Sequence, residues 1–179
     1  YIYEQSSKNG KRVQALGGAK NHLVVMPDSN IDQAVDGIIG AGYGSAGERC
    51  MAISVAVAVG DVADELVEKV HLQAQKLKVA PWTNHESDMG PVISKEHKER
   101  IEKYIATGVK EGALLLEDGR HCNIQGYENG YFVGPTLFDN VTKKMQIYKD
   151  EIFGPVVCVV RVKSYDEALN LVNDHPYGN

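Results

Sequence analysis

The residues best suited to covalent chemistry in this chain are its three cysteines, Cys50, Cys122 and Cys158. A thiol attacks as its thiolate, and an unperturbed thiol is only a few per cent ionised at neutral pH, so a nucleophilic cysteine needs a cation or a helix N-terminus nearby. Cys50 follows Arg49 and precedes the apolar run Ile53–Val59, which places it at the mouth of a predicted buried strand. From this position alone, Cys50 is either a nucleophile or a small core residue, and both interpretations stay open. Cys158, which is flanked by four valines, is predicted to be core.

An acid and an aromatic side chain form a second candidate group, in Glu151-Ile152-Phe153-Gly154-Pro155. A Gly-Pro turn directly after them can hold a carboxylate and a ring face toward a ligand. A surface acid beside a core phenylalanine fits the same pattern. From these residues alone, both interpretations stay open.

A glycine-rich hexamer, Gly42-Tyr43-Gly44-Ser45-Ala46-Gly47, matches the dinucleotide fingerprint G-x-G-x-x-G. The fingerprint binds phosphate only where it follows a strand and opens a helix, whereas here a predicted helix precedes it and a predicted strand follows it. We therefore expect close backbone packing through small side chains. Ser45 is not predicted to be a nucleophile, because Tyr43 stands where a nucleophile elbow requires glycine.

Histidine and metal chemistry find little support in the sequence. A cysteine hydrolase would need a histidine base beside Cys50, and none of the six histidines can be placed there from the sequence. The neighbours His121 and Cys122 lack further ligands at zinc-site spacing, so we predict no metal site.

Hydrophobic patterning divides the chain into alternating helices and strands. Strands are predicted at His22–Met26, Ile53–Val59, Ala113–Leu116 and Val156–Val162. Helical segments are predicted at Tyr1–Gly10, after the N-cap candidates Asp28-Ser29-Asn30, and at Asp61–Leu77, Ser94–Gly108 and Ser164–Asn173. This alternation predicts an α/β fold, with a mostly parallel sheet flanked by helices and ligands at the carboxyl ends of its strands.

Composition excludes several classes of function. The chain has 179 residues, 43% of them hydrophobic, which predicts one globular domain, and its net charge of −5 without a basic cluster argues against nucleic acid. The longest uncharged apolar run, Met51–Gly60, is too short to span a membrane. Three widely spaced cysteines without a Cys-x-x-Cys pair favour a reducing, cytoplasmic compartment. The first residues contain neither a secretory signal nor an initiating Met, so we expect a longer parent chain.

Four segments carry a resemblance to a known family. They are Leu16-Gly17-Gly18-Ala19-Lys20, Gly47-Glu48-Arg49-Cys50, Glu151-Ile152-Phe153-Gly154-Pro155-Val156 and Asn173-Asp174-His175-Pro176-Tyr177-Gly178. In order and spacing the whole chain resembles the catalytic domain of the aldehyde dehydrogenase superfamily. The stretches 10–22, 47–52 and 126–130 are similar to its CoA-acylating methylmalonate-semialdehyde dehydrogenase branch.

The resemblance implies roles for individual residues. Cys50 corresponds to the family's nucleophile, and its backbone N–H to an oxyanion donor. Glu151 corresponds to the carboxylate that binds the nicotinamide ribose, Phe153 to the aromatic side chain that packs on the ring, and Leu16 to a residue beside the cofactor. Arg49 corresponds to the residue that holds the substrate carboxylate in this branch. Ala15 stands where hydrolytic branches carry a water-activating glutamate.

The same resemblance implies NAD as cofactor and coenzyme A as acyl acceptor. A semialdehyde would be oxidised through a cysteine thioester to propionyl-CoA or acetyl-CoA with loss of CO₂. Residues 1–10 would be the tail of a preceding cofactor-binding domain, and residues 11–179 a catalytic domain that is incomplete at its C-terminus. An absent N-terminal dinucleotide-binding domain would be its partner, in a homo-oligomer of the cytoplasm or, in a eukaryote, the mitochondrial matrix. Two alternatives are a non-catalytic association module of the same fold and a non-acylating aldehyde dehydrogenase.

Overall fold

Five strands form one sheet in a computed structural model that describes all 179 residues. The strands are β1 (Asn21–Val25), β2 (Ile53–Val59), β3 (Leu114–Glu117), β4 (Thr136–Asp139) and β5 (Val156–Val162), in the spatial order β1-β2-β5-β4-β3. The α-helices are α1 (Ile2–Lys8), α2 (Ile31–Tyr43), α3 (Ala63–Ala74), α4 (Lys95–Lys110), α5 (Gln146–Lys149) and α6 (Tyr165–Asn173). The predicted α/β class and mostly parallel sheet are therefore confirmed.

Side-chain caps set where three of these helices begin. The side chains of Asn30, Ser94 and Ser164 accept hydrogen bonds from backbone N–H groups three residues later, at the starts of α2, α4 and α6. Each bond satisfies a donor that the first helical turn leaves free. The helix starts predicted from these polar residues are confirmed.

The centre of the sheet is the parallel pair β2 and β5. Val55 and its partner Cys158 are both fully buried, as are most of the β-branched residues along the two strands. Such runs are typical of parallel strands that are covered on both faces. The core position predicted for Cys158 is confirmed.

One edge of the sheet departs from strict alternation. Strands β3 and β4 run antiparallel, with Leu115 opposite Phe138, and no helix lies between them. The sequence analysis did not predict β4, because its four residues are all buried and show no period of two. The short helix α5 was also not predicted, and a 3-10 turn over Gly60–Val62 delays α3 until Ala63.

None of the helices combines the length and apolar character needed to cross a bilayer.

Candidate active site

Three segments that precede parallel strands meet at the end of the sheet where those strands begin. Leu16 and its neighbours lead into β1, Cys50 leads into β2, and Glu151 to Phe153 lead into β5. Since β1, β2 and β5 are adjacent and parallel, their amino ends lie side by side. The expectation that ligand-binding residues gather at the carboxyl ends is wrong for these residues, because the turns that carry them precede the strands and do not follow them.

These segments form an open cleft with about 780 Å³ of empty space, part of it open solvent. Eight residues line the cleft: Leu16, Gly17, Gly18, Ala19, Cys50, Arg100, Glu151 and Phe153. The structure thus brings four of the five predicted site residues into one cleft, and no histidine lines it. This arrangement gives a cysteine–histidine hydrolase no support.

Cys50 lies on a tight turn with its thiol exposed and unpaired. The turn is closed by the Ala52 N–H, which donates to the Arg49 carbonyl at 3.0 Å. The backbone N–H of Cys50 makes no hydrogen bond within the chain, so it is available to a ligand. The site therefore offers a nucleophile and a donor on the same residue.

The loop before Cys50 follows an unusual backbone path. Ser45, Ala46 and Gly47 have φ angles of 52°, 54° and 69°. For residues other than glycine, the left-handed region costs roughly 1–2 kcal/mol each, so packing must hold this loop in place. At Gly47 a Cβ atom would lie 2.1 Å from the Gly154 carbonyl oxygen, which makes glycine obligatory there. The glycine-rich hexamer serves close packing, as predicted.

Helix α4 holds the turn that carries Glu151 and Phe153. Arg100 donates to the carbonyl oxygens of Glu151 at 2.7 Å and Ile152 at 3.3 Å. His97 Nε2 lies 2.5 Å from the Phe153 carbonyl oxygen, and Phe153 itself has a φ of 60°. Side chains of one helix thus bind three consecutive carbonyls. The Phe153 side chain itself lines the cleft, and the residue is more than a third exposed.

His97 also connects the two loops of the site. Its Nε2 lies 3.2 Å from Glu48 Oε1, and the side chains of both residues are largely buried. Glu48 Oε1 in turn accepts the Ile93 N–H at 3.2 Å. The loop of the candidate nucleophile and the loop of the candidate cofactor residues are therefore fixed relative to each other through His97.

Lys20 is a buried cation behind the same turn. Its Nζ donates to the carbonyls of Ile147 at 2.7 Å and Asp150 at 2.8 Å, and it is 1% exposed. Burial lowers the pKa of Lys20, while the nearby charges of Asp150 and Glu151 act against that shift. Lys20 thus anchors the chain directly before Glu151.

Arg49 lies apart from the cleft that Cys50 lines. Its guanidinium donates to the Gly40 carbonyl at 2.7 Å and packs on Gly44, along the last turn of α2. Arg49 also lines a smaller neighbouring cavity together with Asn21 and Glu151. Its role toward a substrate carboxylate stays a prediction.

Local sequence patterns do not predict the roles of four further residues, Lys20, Asn21, His97 and Arg100. Asn21, the first residue of β1, uses its side-chain amide to bind the carbonyls of Cys50 and Ala52. The only sequence signal for any of them is the polar pair Lys20-Asn21 shortly before the apolar run Leu23–Met26.

The family model "Aldehyde dehydrogenase family" matches residues 1–179. The chain belongs to the aldehyde dehydrogenase family. It is 57% identical to a malonate-semialdehyde dehydrogenase of Pseudomonas aeruginosa over 180 residues, which cover all of this chain and 36% of that protein. It is 54% identical to malonate-semialdehyde dehydrogenase 2 of Geobacillus kaustophilus, covering 100% of this chain and 37% of that protein. The chain thus spans little more than a third of these relatives.

Solved structures of this aldehyde dehydrogenase family agree with the fold. A methylmalonate-semialdehyde dehydrogenase of Oceanimonas doudoroffii superposes with a TM-score of 0.93 at 53% identity, over 98% of this chain and 36% of that one. A Sinorhizobium meliloti structure complexed with NAD superposes with a TM-score of 0.95 at 54% identity, with the same coverage. The predicted family resemblance is confirmed.

Proposed function

We propose that this chain supplies the catalytic residues of an NAD-dependent, CoA-acylating malonate- or methylmalonate-semialdehyde dehydrogenase. The observation that carries the proposal is the single cleft in which the exposed Cys50 thiol, the Glu151 carboxylate and the Phe153 ring stand together. The names of the relatives support the substrate class.

In this mechanism Cys50 is the nucleophile. Its thiolate attacks the aldehyde carbon and forms a thiohemiacetal, and the free Cys50 N–H donates to the oxygen on which negative charge develops. Loss of hydride then leaves an acyl group bound to Cys50 as a thioester. The Cys50 turn therefore holds the substrate through both chemical steps.

Glu151 and Phe153 fit the nicotinamide end of NAD. A partly exposed carboxylate can accept hydrogen bonds from ribose hydroxyls, and an exposed aromatic face suits a flat ring. Bound NAD supplies the hydride acceptor. Leu16 completes the wall on the opposite segment, before β1.

The cleft favours a thiol over water as the acyl acceptor. Ala15 has no proton-accepting group, and Glu151 is the only carboxylate in the cleft wall. Without a second base to activate water, the thioester persists until the thiol of coenzyme A attacks it and Cys50 leaves. One semialdehyde, one NAD⁺ and one CoA then give one acyl-CoA, one CO₂ and one NADH, the CO₂ coming from the substrate carboxylate.

Several features of the parent protein are part of this proposal. Residues 1–10 form the end of a cofactor-binding domain, and residues 11–179 belong to the catalytic domain. A dinucleotide-binding domain elsewhere in the parent chain binds the rest of NAD, so the 179 residues alone are expected to be inactive. The parent is a homo-oligomer in the cytoplasm or, in a eukaryote, the mitochondrial matrix.

The test uses the whole polypeptide in which the chain occurs, with malonate semialdehyde, methylmalonate semialdehyde and propanal as substrates. NADH is followed by absorbance and the products by mass spectrometry. We expect acetyl-CoA and propionyl-CoA that form only when CoA is present, and no product from Cys50→Ala. Release of the free acid at the same rate without CoA would instead identify a non-acylating aldehyde dehydrogenase. Absence of any turnover would favour the association module.

A further inference from the structure

The side-chain amide of Asn21 spans the turn that carries Cys50. Asn21 Nδ2 donates to the Cys50 carbonyl at 2.9 Å and to the Ala52 carbonyl at 2.8 Å. Both protons of the amide are therefore used on the two sides of Met51. Asn21 is 9% exposed, so these bonds are largely shielded from water.

A second amide fixes which way Asn21 faces. Asn179 Nδ2 donates to Asn21 Oδ1 at 2.5 Å, and Asn179 Oδ1 accepts the Lys20 N–H at 3.1 Å. With its oxygen engaged by a donor, the Asn21 amide can only present its NH₂ group to the two carbonyls.

The turn needs this support because it lies outside the sheet. Pairing of β1 with β2 begins at Asn21 and Ile53, and the register shifts between Asn21 and His22, so that His22 pairs with Val55. The segment Cys50–Ala52 thus has no strand partner, and the Asn21 side chain acts where a neighbouring backbone would. Fixing the Cys50 carbonyl limits rotation of the Cys50 backbone and so the direction of its thiol.

We propose that Asn21 is the positioning residue of Cys50, holding the turn through two hydrogen bonds so that the thiol faces the cleft. This rests on the proposed role of Cys50 as nucleophile. Asn21 does not touch the reacting atoms, and it acts only through the geometry of Cys50. A displacement of about 1 Å of a reacting group can lower a rate about a hundredfold.

The experiment measures the rate at which iodoacetamide alkylates Cys50 in the whole folded polypeptide, by peptide mass spectrometry, with Cys122 as internal reference. Asn21→Leu keeps the approximate size of the side chain and removes both donors. Asn21→Asp places a carboxylate oxygen against two carbonyls. We expect alkylation of Cys50 to slow by roughly 10- to 100-fold in both variants, with Cys122 unchanged.

Two controls separate positioning from general loss of stability. Val70→Ala makes a cavity in α3, where Val70 is 1% exposed, and should lower the melting temperature without slowing alkylation of Cys50. In Asn21→Asp, alkylation relative to the wild type should recover as the pH falls, because a protonated carboxyl regains one donor. A purely structural role would produce no such pH profile.

Equal alkylation of Cys50 in wild type and folded Asn21→Leu would overturn the proposal. If neither variant folds, Asn21→Ser, which can keep at most one of the two hydrogen bonds, takes their place, and an unchanged rate there would overturn the proposal that both bonds hold the turn. Measurement of turnover separates failure of this proposal from failure of the proposed function. In an active enzyme, kcat should fall in Asn21→Leu while the KM for NAD stays constant. A wild-type protein without turnover would refute the dehydrogenase function, and the alkylation result would still test the role of Asn21.

Discussion

The three thiols differ at the level of single residues. Cys50 is exposed, Cys122 is partly buried and Cys158 is fully buried. Burial raises the pKa of Cys122, and it raises the pKa of Cys158 to about 11 although the Lys20 charge opposes that shift. At neutral pH Cys158 stays a protonated core residue, whereas Cys50 is exposed and lines the cleft.

Replacement of Arg49 tests whether that residue recognises the substrate. In the whole enzyme, Arg49→Leu should raise the KM for malonate semialdehyde by roughly 10- to 150-fold, since a hydrogen bond to a charged group is worth about 1.5–3 kcal/mol. The KM for propanal, which lacks the carboxylate, should change little. Steady-state kinetics with both substrates measures the difference.

Arg49→Lys is the matched control, since it keeps the charge and loses the planar fork. Equal losses on malonate semialdehyde and propanal, together with a lower melting temperature, would contradict substrate recognition. They would show that Arg49 stabilises α2 through its hydrogen bond to the Gly40 carbonyl.

How far the sequence predicts the site depends on where each residue finds its partners. Cys50 and Phe153 carry local signals, a strand mouth and a Gly-Pro turn, so the sequence names both as candidates. The contacts of Asn21 lie 29 and 31 residues away, and those of Lys20 lie 127 and 130 residues away. No local pattern encodes such partners, because the fold alone brings them together.

Among the elements, α4 is the one that shapes the side of the cleft proposed to bind the cofactor. Its first turns place His97 and Arg100 on the three carbonyls of residues 151–153, while Ile101 packs against Gly154. The amphipathic pattern predicts this helix and its start at about Ser94, but not that its polar residues hold another loop. Hydrophobic periodicity predicts the buried face of a helix, but it does not predict which carbonyls the polar side chains of that helix bind.

Removal of one α4 side chain that holds the Phe153 turn should weaken NAD binding. In the whole enzyme, His97→Leu deletes the bonds to the Phe153 carbonyl and to Glu48, each worth about 0.5–1.5 kcal/mol, so we expect NAD affinity to fall by up to roughly 5- to 150-fold. Isothermal titration measures the affinity. Glu99→Ala, an exposed change on the same helix, is the control. Unchanged NAD affinity in His97→Leu would show that the Phe153 turn holds its shape without α4.

At the scale of the whole molecule, stability should depend on two histidines near the sheet. Burial lowers the pKa of His22 and of His175, and their rings lie 5.5 Å apart. His22 Nε2 lies 3.1 Å from the Tyr148 hydroxyl, and His175 Nδ1 accepts the Tyr177 N–H at 3.3 Å. The folded state therefore favours both rings in their neutral form.

The sign of the pH effect follows directly. The folded-state pKa values of the two histidines lie below those of the unfolded chain. The contribution of the neutral rings to stability is therefore complete above about pH 6.5, and it is lost as the pH falls from there through the folded-state pKa values. The melting temperature should drop between pH 7 and pH 5, by roughly 2–4 °C for each kcal/mol lost.

The double variant with His22→Asn and His175→Asn should show a melting temperature that depends less on pH. The control His85→Asn, on an exposed loop, should leave that dependence unchanged. Calorimetry at a series of pH values measures the melting temperature. A wild-type profile that is flat or that rises toward acid would contradict the prediction.

The order of the strands has a consequence for synthesis of the chain. β5 lies between β2 and β4, so the pairs β1-β2 and β4-β3 share no hydrogen bonds until the last strand is made. Glu151 follows Cys50 by 101 residues (151 − 50), which a ribosome adds in roughly 5–20 s. During that interval the thiol has been made but the opposite wall of its cleft has not. A nascent chain therefore exposes Cys50 to oxidants and to foreign electrophiles before β5 completes the sheet.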